Sequence, residues 1–200
     1  MVVLNGAPRS GKTTIARQLI DVMDGDWVNL GVDAVQAATS ERLMPGMGLR
    51  PGAERPDLEP FVVAAFEAMY AAIAALSCAG VGTAVDVGHH DSYTRPLGIL
   101  ARSAKQLAGL PVLFVGVRCP IETVVARRAE HPDRYLAASP FESVPTPILL
   151  WQVEVHRPGV YDLELDTGLL SPAECVAAIR KRLALGGGTA FQAAAKVGGS

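Results

Sequence analysis

Gly6-Ala7-Pro8-Arg9-Ser10-Gly11-Lys12-Thr13, followed by Thr14, is the stretch whose reading decides the fold. It fits the phosphate-binding pattern G-x-x-x-x-G-K-[ST], and its flanks fit as well as its letters. Ahead of it, Val2-Val3-Leu4-Asn5 reads as a short buried strand. Behind it, Ile15, Leu19, Ile20 and Met23 recur at helical spacing and predict a helix over residues 14–23. The chemistry needs this order. Gly6 and Gly11 allow a tight turn in which successive backbone N–H groups and a helix N-terminus face a phosphate. Lys12 is placed to reach the β- and γ-phosphates, and the Thr13 hydroxyl to sit on Mg²⁺. Residues 6–14 are therefore expected to bind a nucleoside triphosphate.

The 200 residues suffice for one α/β domain with a substantial core and are too few for two ordinary domains. Half are hydrophobic and 19% are charged, a composition that excludes a disordered chain. A net charge of −2 gives no reason to expect attraction to nucleic acid or acidic membranes. No unbroken apolar run reaches about 18 residues, and no basic leader is expected before the first strand. Cys78, Cys119 and Cys175 lie far apart without a C-x-x-C pair and read as small buried apolar residues. A reducing cytoplasm is expected.

Working outward from the loop, apolar strands alternate with amphipathic segments, the signature of a parallel sheet with crossover helices. Strands are expected at 27–32, 82–87, 111–117 and 161–165, with an Ala-rich helix over 61–79 closed by Gly80. Ser171 reads as an N-cap, with Pro172 at the first helical position and Glu174 three residues on, for a last helix ending near Leu185. Two stretches break the alternation. Residues 44–60 hold three Gly and four Pro and read as a long loop, of a length that is usually functional or disordered. Residues 131–147 carry Pro132, Pro140, Pro145 and Pro147 after the basic pair Arg127-Arg128, where a cover over bound phosphates could lie. The Gly- and Ala-rich tail, 186–200, is expected to be frayed.

Ligands of an open parallel sheet bind beyond the carboxyl ends of its strands, which makes a short list of candidates. Asp33 follows the second strand and is a candidate catalytic base, a carboxylate that accepts the proton of an attacking hydroxyl; a helix cap is the alternative. Asp86, ending the Ala84-Val85 run, could hold Mg²⁺ or cap a turn. Arg118 and Asp166-Thr167 end two further strands. His89-His90-Asp91 is either a contact to the acceptor or a solvated loop, and no third ligand stands at a metal-binding spacing. Arg127, Arg128 and Arg134 flank the expected lid, where a guanidinium fork matches phosphate oxygens.

Taken together, Leu4-Asn5-Gly6, the phosphate loop, Gly31-Val32-Asp33, Val115-Gly116-Val117-Arg118-Cys119, Asp133-Arg134 and Tyr161-Asp162 through Asp166-Thr167 occur in an order that resembles the chloramphenicol phosphotransferase-like family of P-loop small-molecule kinases. The resemblance runs from Met1 to about Leu185. It implies an adenylate-kinase-like P-loop fold: a parallel five-stranded sheet flanked by helices, one domain over 1–185 with a lid at 127–147. It further implies ATP with Mg²⁺ and transfer of the γ-phosphate to a primary hydroxyl of a small acceptor, an antibiotic in that family. Asp33 would be the base, Lys12 the phosphate lysine and Thr13 the metal-side hydroxyl; Arg127 and Arg134 match arginines of the family's lid. This chain differs in having His131-Pro132-Asp133-Arg134 where the family's lid runs Arg-Gly-Asp-Arg, and a single Asp86 where the family shows a pair. A zeta-toxin-like nucleotide-sugar kinase and a non-catalytic ATP-binding module are the alternatives.

Overall fold

Val2–Asn5 forms strand β1, and all four residues are buried. A strand buried on both faces must be covered on both, and its alternation divides the core in two. Val3 points into a layer with Val85, Val87, Phe114 and the inward residues Phe66, Met69, Tyr70 and Ile73 of a long helix. Val2 and Leu4 point the other way, toward Ile15 and Leu19 on one helix and Val176 and Ile179 on another. The computed structural model describes residues 1–130, 144–157 and 159–197.

The strands are β1, β2 (Trp27–Asn29), β3 (Gly82–Val87), β4 (Leu113–Arg118) and β5 (Leu163–Asp166), in the order β2-β3-β1-β4-β5 with every pair parallel. The crossovers carry helices α1 (Lys12–Val22), α2 (Val32–Ala37), α3 (Glu59–Cys78), α4 (Ile99–Gln106), α5 (Ile121–Glu130) and α6 (Thr146–Glu154). After β5 come α7 (Pro172–Ala184) and α8 (Ala190–Val197). The chain leaves β1 for the far edge, returns to β3, then crosses β1 to β4. The strand order therefore reverses beside β1, and the crevice at its carboxyl end is where such a sheet takes a ligand.

The five strands and the parallel sheet expected from the sequence are present, with shifted ends. β2 stops at Asn29 rather than 32: Leu30 N–H still donates to Ala84 O at 3.0 Å, but Gly31 turns the chain into α2. Residues 44–60 are not one open loop. Short 3-10 turns form at Glu41–Leu43, Gly46–Gly48 and Pro56–Leu58, and Met47 and Leu49 are buried in the core. Within the expected lid, Arg127 and Arg128 belong to α5, and Thr146 and Pro147 already belong to α6; Pro147 sits in the first turn, where its missing N–H is harmless. Residues 131–143, with Arg134, lie outside the described residues. Cys119 and Cys175 are buried as expected, but Cys78 is exposed at the end of α3.

The tail is the clearest correction. Its described part forms α8, which packs on α4 and puts Phe191 into the core at 0% exposure. Asp162 supplies the anchor. One carboxylate oxygen accepts from Thr189 N–H (2.8 Å) and Ala190 N–H (3.1 Å), capping the helix start, and the other accepts from Phe114 N–H in β4 (2.9 Å). α7 begins as its sequence indicated: Ser171 and Glu174 form a reciprocal capping box. Pro56–Cys78, which takes in α3, is the one helical stretch among the described residues long and apolar enough to cross a membrane; one side of α3 is buried against the sheet. Phe191→Ala should lower stability by about 3–5 kcal/mol, as for a buried aromatic, read as a fall in the urea midpoint at unchanged slope. An unchanged midpoint would mean that α8 is not part of the folded core.

Candidate active site

The loop between β1 and α1 folds as a cradle because two of its residues adopt the left-handed conformation, Arg9 at φ 67° and Gly11 at φ 93°. Gly6 N–H donates to Val87 O (3.2 Å) and Ser10 N–H to Ala7 O (3.2 Å), tying the loop to the end of β3 and to itself. Lys12 curls back so that Nζ donates to Ala7 O at 2.7 Å. Burial holds the Lys12 ammonium down to about pKa 8, against the opposing pull of Asp86 and Asp33.

From outside, the loop is clamped. Thr167, just past β5, donates through Oγ1 to Ser10 O at 2.8 Å. Arg127 in α5 donates from Nη1 to Arg9 O (3.1 Å) and Thr167 Oγ1 (3.2 Å), and from Nη2 to Thr167 O (3.0 Å). Its guanidinium therefore stands at the loop's rim.

Three side chains converge at the start of α1. The Thr13 hydroxyl lies 2.7 Å from Asp86 Oδ2 and 3.4 Å from Asp33 Oδ2, donating to the nearer carboxylate. Asp86 is delivered by β3, whose register against β1 pairs it with Leu4. Asp33 sits in the first turn of α2, where the helix dipole favours a negative charge. Gly31 makes the convergence possible: a Cβ there would stand 1.7 Å from Asp86 Oδ1, so any side chain would expel the carboxylate. These groups line one cavity of about 800 Å³, whose walls also include Thr167, Leu170, Gln36, Met47, Arg50 and Trp151. A cavity of this size has room for a nucleotide and a second small molecule.

The family model for chloramphenicol phosphotransferase-like proteins matches residues 1–184. The chain belongs to that family. It is a phosphotransferase with the fold of the P-loop kinases. Among solved structures, a sugar kinase from Janibacter sp. is 20% identical, with 97% of this chain and 96% of that chain covered and a TM-score of 0.60. The tunicamycin resistance protein of Deinococcus radiodurans is 18% identical over 91% of this chain and 94% of that one, at a TM-score of 0.61. Shikimate kinase from Acinetobacter baumannii, in complex with shikimate, is 15% identical over 92% of each chain, at 0.59. No curated protein sequence matches the chain.

Of the residues singled out from the sequence, Gly6, Pro8, Arg9, Gly11, Lys12, Thr13, Thr14, Asp33, Asp86 and Arg127 all line the cavity. Ala7 and Ser10 are buried within the loop's own backbone turn. Arg118 does not join them; it is exposed and pairs with Glu164 on β5. The two histidines are not a solvated loop. His89 is buried with Nε2 2.7 Å from the Tyr70 hydroxyl, and burial drives its pKa down to about 3; His90 Nε2 meets Leu49 O at 2.9 Å. Both therefore act as neutral structural groups beneath the cavity. Gln36, Ile148 and Trp151 escaped the sequence reading. Trp151 had an available signal, the apolar Ile148-Leu149-Leu150-Trp151 run after Pro147, masked by the prolines around it.

A lysine held near pKa 8 and then met by polyphosphate must take up a proton whenever the pH exceeds that value. Its pKa rises on binding, so nucleotide binding at pH 8.5–9 should be accompanied by proton uptake that fades toward pH 7, where Lys12 is already charged. Calorimetry in two buffers of different ionisation enthalpy measures this. A buffer-independent heat at pH 8.5–9 would contradict the depressed lysine.

Proposed function

We propose that this chain transfers the γ-phosphate of ATP to a hydroxyl of a small neutral or weakly polar molecule, with an antibiotic of the chloramphenicol type as the leading acceptor. The observation that carries the reading is the meeting of Thr13, Asp86 and Asp33 at the mouth of the phosphate loop. A binding module needs the loop and its lysine. It has no use for a second carboxylate on the far side of Thr13, facing the half of the cavity that the loop leaves open.

The donor set at this point is made only of hard oxygens, a hydroxyl and carboxylates, which suits Mg²⁺: that ion binds through one or two protein oxygens and takes the rest of its shell from phosphate and water. Thr13 Oγ1 and Asp86 would hold it, and when bound it offsets charge on the β- and γ-phosphates. The chain's own groups do the remainder. Backbone N–H groups of residues 6–13 and the N-terminus of α1 hold the phosphates, and Lys12 swings from Ala7 O onto them. Asp33 accepts the proton of the acceptor hydroxyl and aims its oxygen in line with the phosphorus. Arg127, already fixed at the rim by Thr167, neutralises oxygens of the moving phosphoryl group, and Arg134 is assigned to the same task from the family's lid pattern. Leu170 and Pro172, which also line the cavity, offer an apolar surface for the base. Such a reaction belongs in the cytoplasm, where ATP is supplied.

Asp33→Asn should lower kcat for phosphate transfer by about 10²–10⁴-fold while leaving ATP affinity nearly unchanged, measured by mass detection of phosphorylated chloramphenicol and related hydroxylated compounds and by nucleotide titration. Undiminished turnover would remove Asp33 as the base. Asp86→Asn should instead raise the Mg²⁺ concentration needed for half-maximal rate; an unaltered requirement would take Asp86 out of the metal site.

A further inference from the structure

Helix α2, which carries Asp33, is six residues long and has little of its own to hold it. None of its residues is fully buried, and Gly31 at its start supplies no side-chain cap. Val32 and Val35 pack partly against the core. One short polar tie then crosses from α2 to the next segment of chain: Gln36 Nε2 donates to Pro45 O at 2.9 Å.

The far end of this tie is firm. Pro45 O also accepts from Gly48 N–H at 3.0 Å, so both of its lone pairs are used. The turn so closed, Gly46–Gly48, is pinned to the core by Met47 and by Leu49 just after it, both buried. Gly48 makes room for the amide. A Cβ there would stand 2.2 Å from Gln36 Nε2 and 3.3 Å from its Cδ. Gly48 is not in the left-handed region, so the close approach of Gln36, and not the backbone, is what calls for glycine.

Gln36 follows Asp33 by three residues, which puts the two side chains on one face of α2. Both line the cavity, together with Pro45, Met47 and Gly48. A helix this short reorients as a unit, and the carboxylate at its first turn moves with it. Misplacing a reacting group by about 1 Å can cost on the order of 10²-fold in rate.

We propose that Gln36 is a positioning residue: its hydrogen bond to Pro45 fixes α2 against the core-anchored turn and thereby aims the Asp33 carboxylate. The assignment rests on the phosphotransferase reading above, in which Asp33 is the base. It joins the base and the 45–48 wall of the cavity into one rigid body.

Two variants break the tie in different ways. Gln36→Met keeps the length of the side chain and removes the donor. Gly48→Ala leaves Gln36 in place and pushes its amide off Pro45. With chloramphenicol and related hydroxylated compounds as acceptors, each should lower kcat about 10–100-fold and leave ATP affinity unchanged. Combined with Asp33→Asn, Gln36→Met should cost nothing further, because aiming a carboxylate has no effect once the carboxylate is gone. A residue that merely stabilises the fold would add its loss to that of Asp33→Asn. Amide hydrogen exchange reads the tie without turnover. The N–H groups of Val35, Ala38 and Thr39, bonded to Gly31 O, Val35 O and Gln36 O, should exchange about 10-fold faster in both variants, the factor that loss of one hydrogen bond gives.

Unchanged exchange in both variants, an unchanged kcat, a fall in ATP affinity that matches the fall in kcat, or a loss that multiplies with that of Asp33→Asn would overturn the proposal. Normal turnover in Asp33→Asn itself would fail the base assignment, while faster exchange in the two tie variants would still uphold the brace on α2. If none of the acceptors is phosphorylated, the acceptor assignment fails and exchange alone decides the tie.

Discussion

The hydrogen bond between the Thr13 hydroxyl and the Asp86 carboxylate, 2.7 Å long, is the contact on which the rest of this site depends. It joins the first turn of the helix after β1 to the end of β3. The contact exists because β1 and β3 are paired in parallel, with Leu4 opposite Asp86. It also exists because Gly31 leaves room for the carboxylate where a side chain would collide with it. One glycine thus fixes two acids: it seats Asp86 against its own Cα and starts the short helix that carries Asp33. The two roles proposed for Asp86 and Asp33 rest on this placing of a carboxylate on each side of one hydroxyl.

Around this contact the molecule is built for rigidity on the donor side. The phosphate loop is held by Val87, Thr167 and Arg127 from three different elements, so its N–H groups are oriented before any nucleotide arrives. Asn5, buried at the end of β1, extends the same frame. Its amide accepts from His89 N–H and donates to Val155 O and the Tyr161 hydroxyl, linking β1 to the segment after β3 and to the end of α6. His89 and His90, expected as an acceptor contact or a solvated loop, are part of this frame. They are neutral because they are buried, and the Nε2 atom of each is engaged, by the Tyr70 hydroxyl and by Leu49 O.

The donor half was legible in the sequence because its geometry is local. A glycine-rich turn between an apolar strand and a helical repeat leaves little freedom, and most of the loop residues named from sequence line one cavity with Asp33, Asp86, Arg127, Arg128 and Thr167. Asp33 and Asp86 could be named from strand ends, but their meeting at Thr13 needed the sheet order, which no local pattern encodes. The acceptor half was harder to read for a physical reason. Its wall is made from α2, a chain of 3-10 turns and α6, elements that begin at prolines and glycines and so look like loop. Trp151 was hidden in that way. The tail misled for the opposite reason: Gly186-Gly187-Gly188 reads as a linker, while the anchor that docks α8 is Asp162, 27 residues before Thr189.

The most direct measurement is a crystal structure with Mg²⁺ and a non-hydrolysable ATP analogue. The expected result is the triphosphate in the loop of residues 6–13, the metal on Thr13 with Asp86 beside it, and the Asp33 carboxylate free of the metal and turned toward the cavity past the γ-phosphate. A metal ligated by Asp33 with Asp86 turned away, or a nucleotide whose γ-phosphate points away from Asp33, would contradict it.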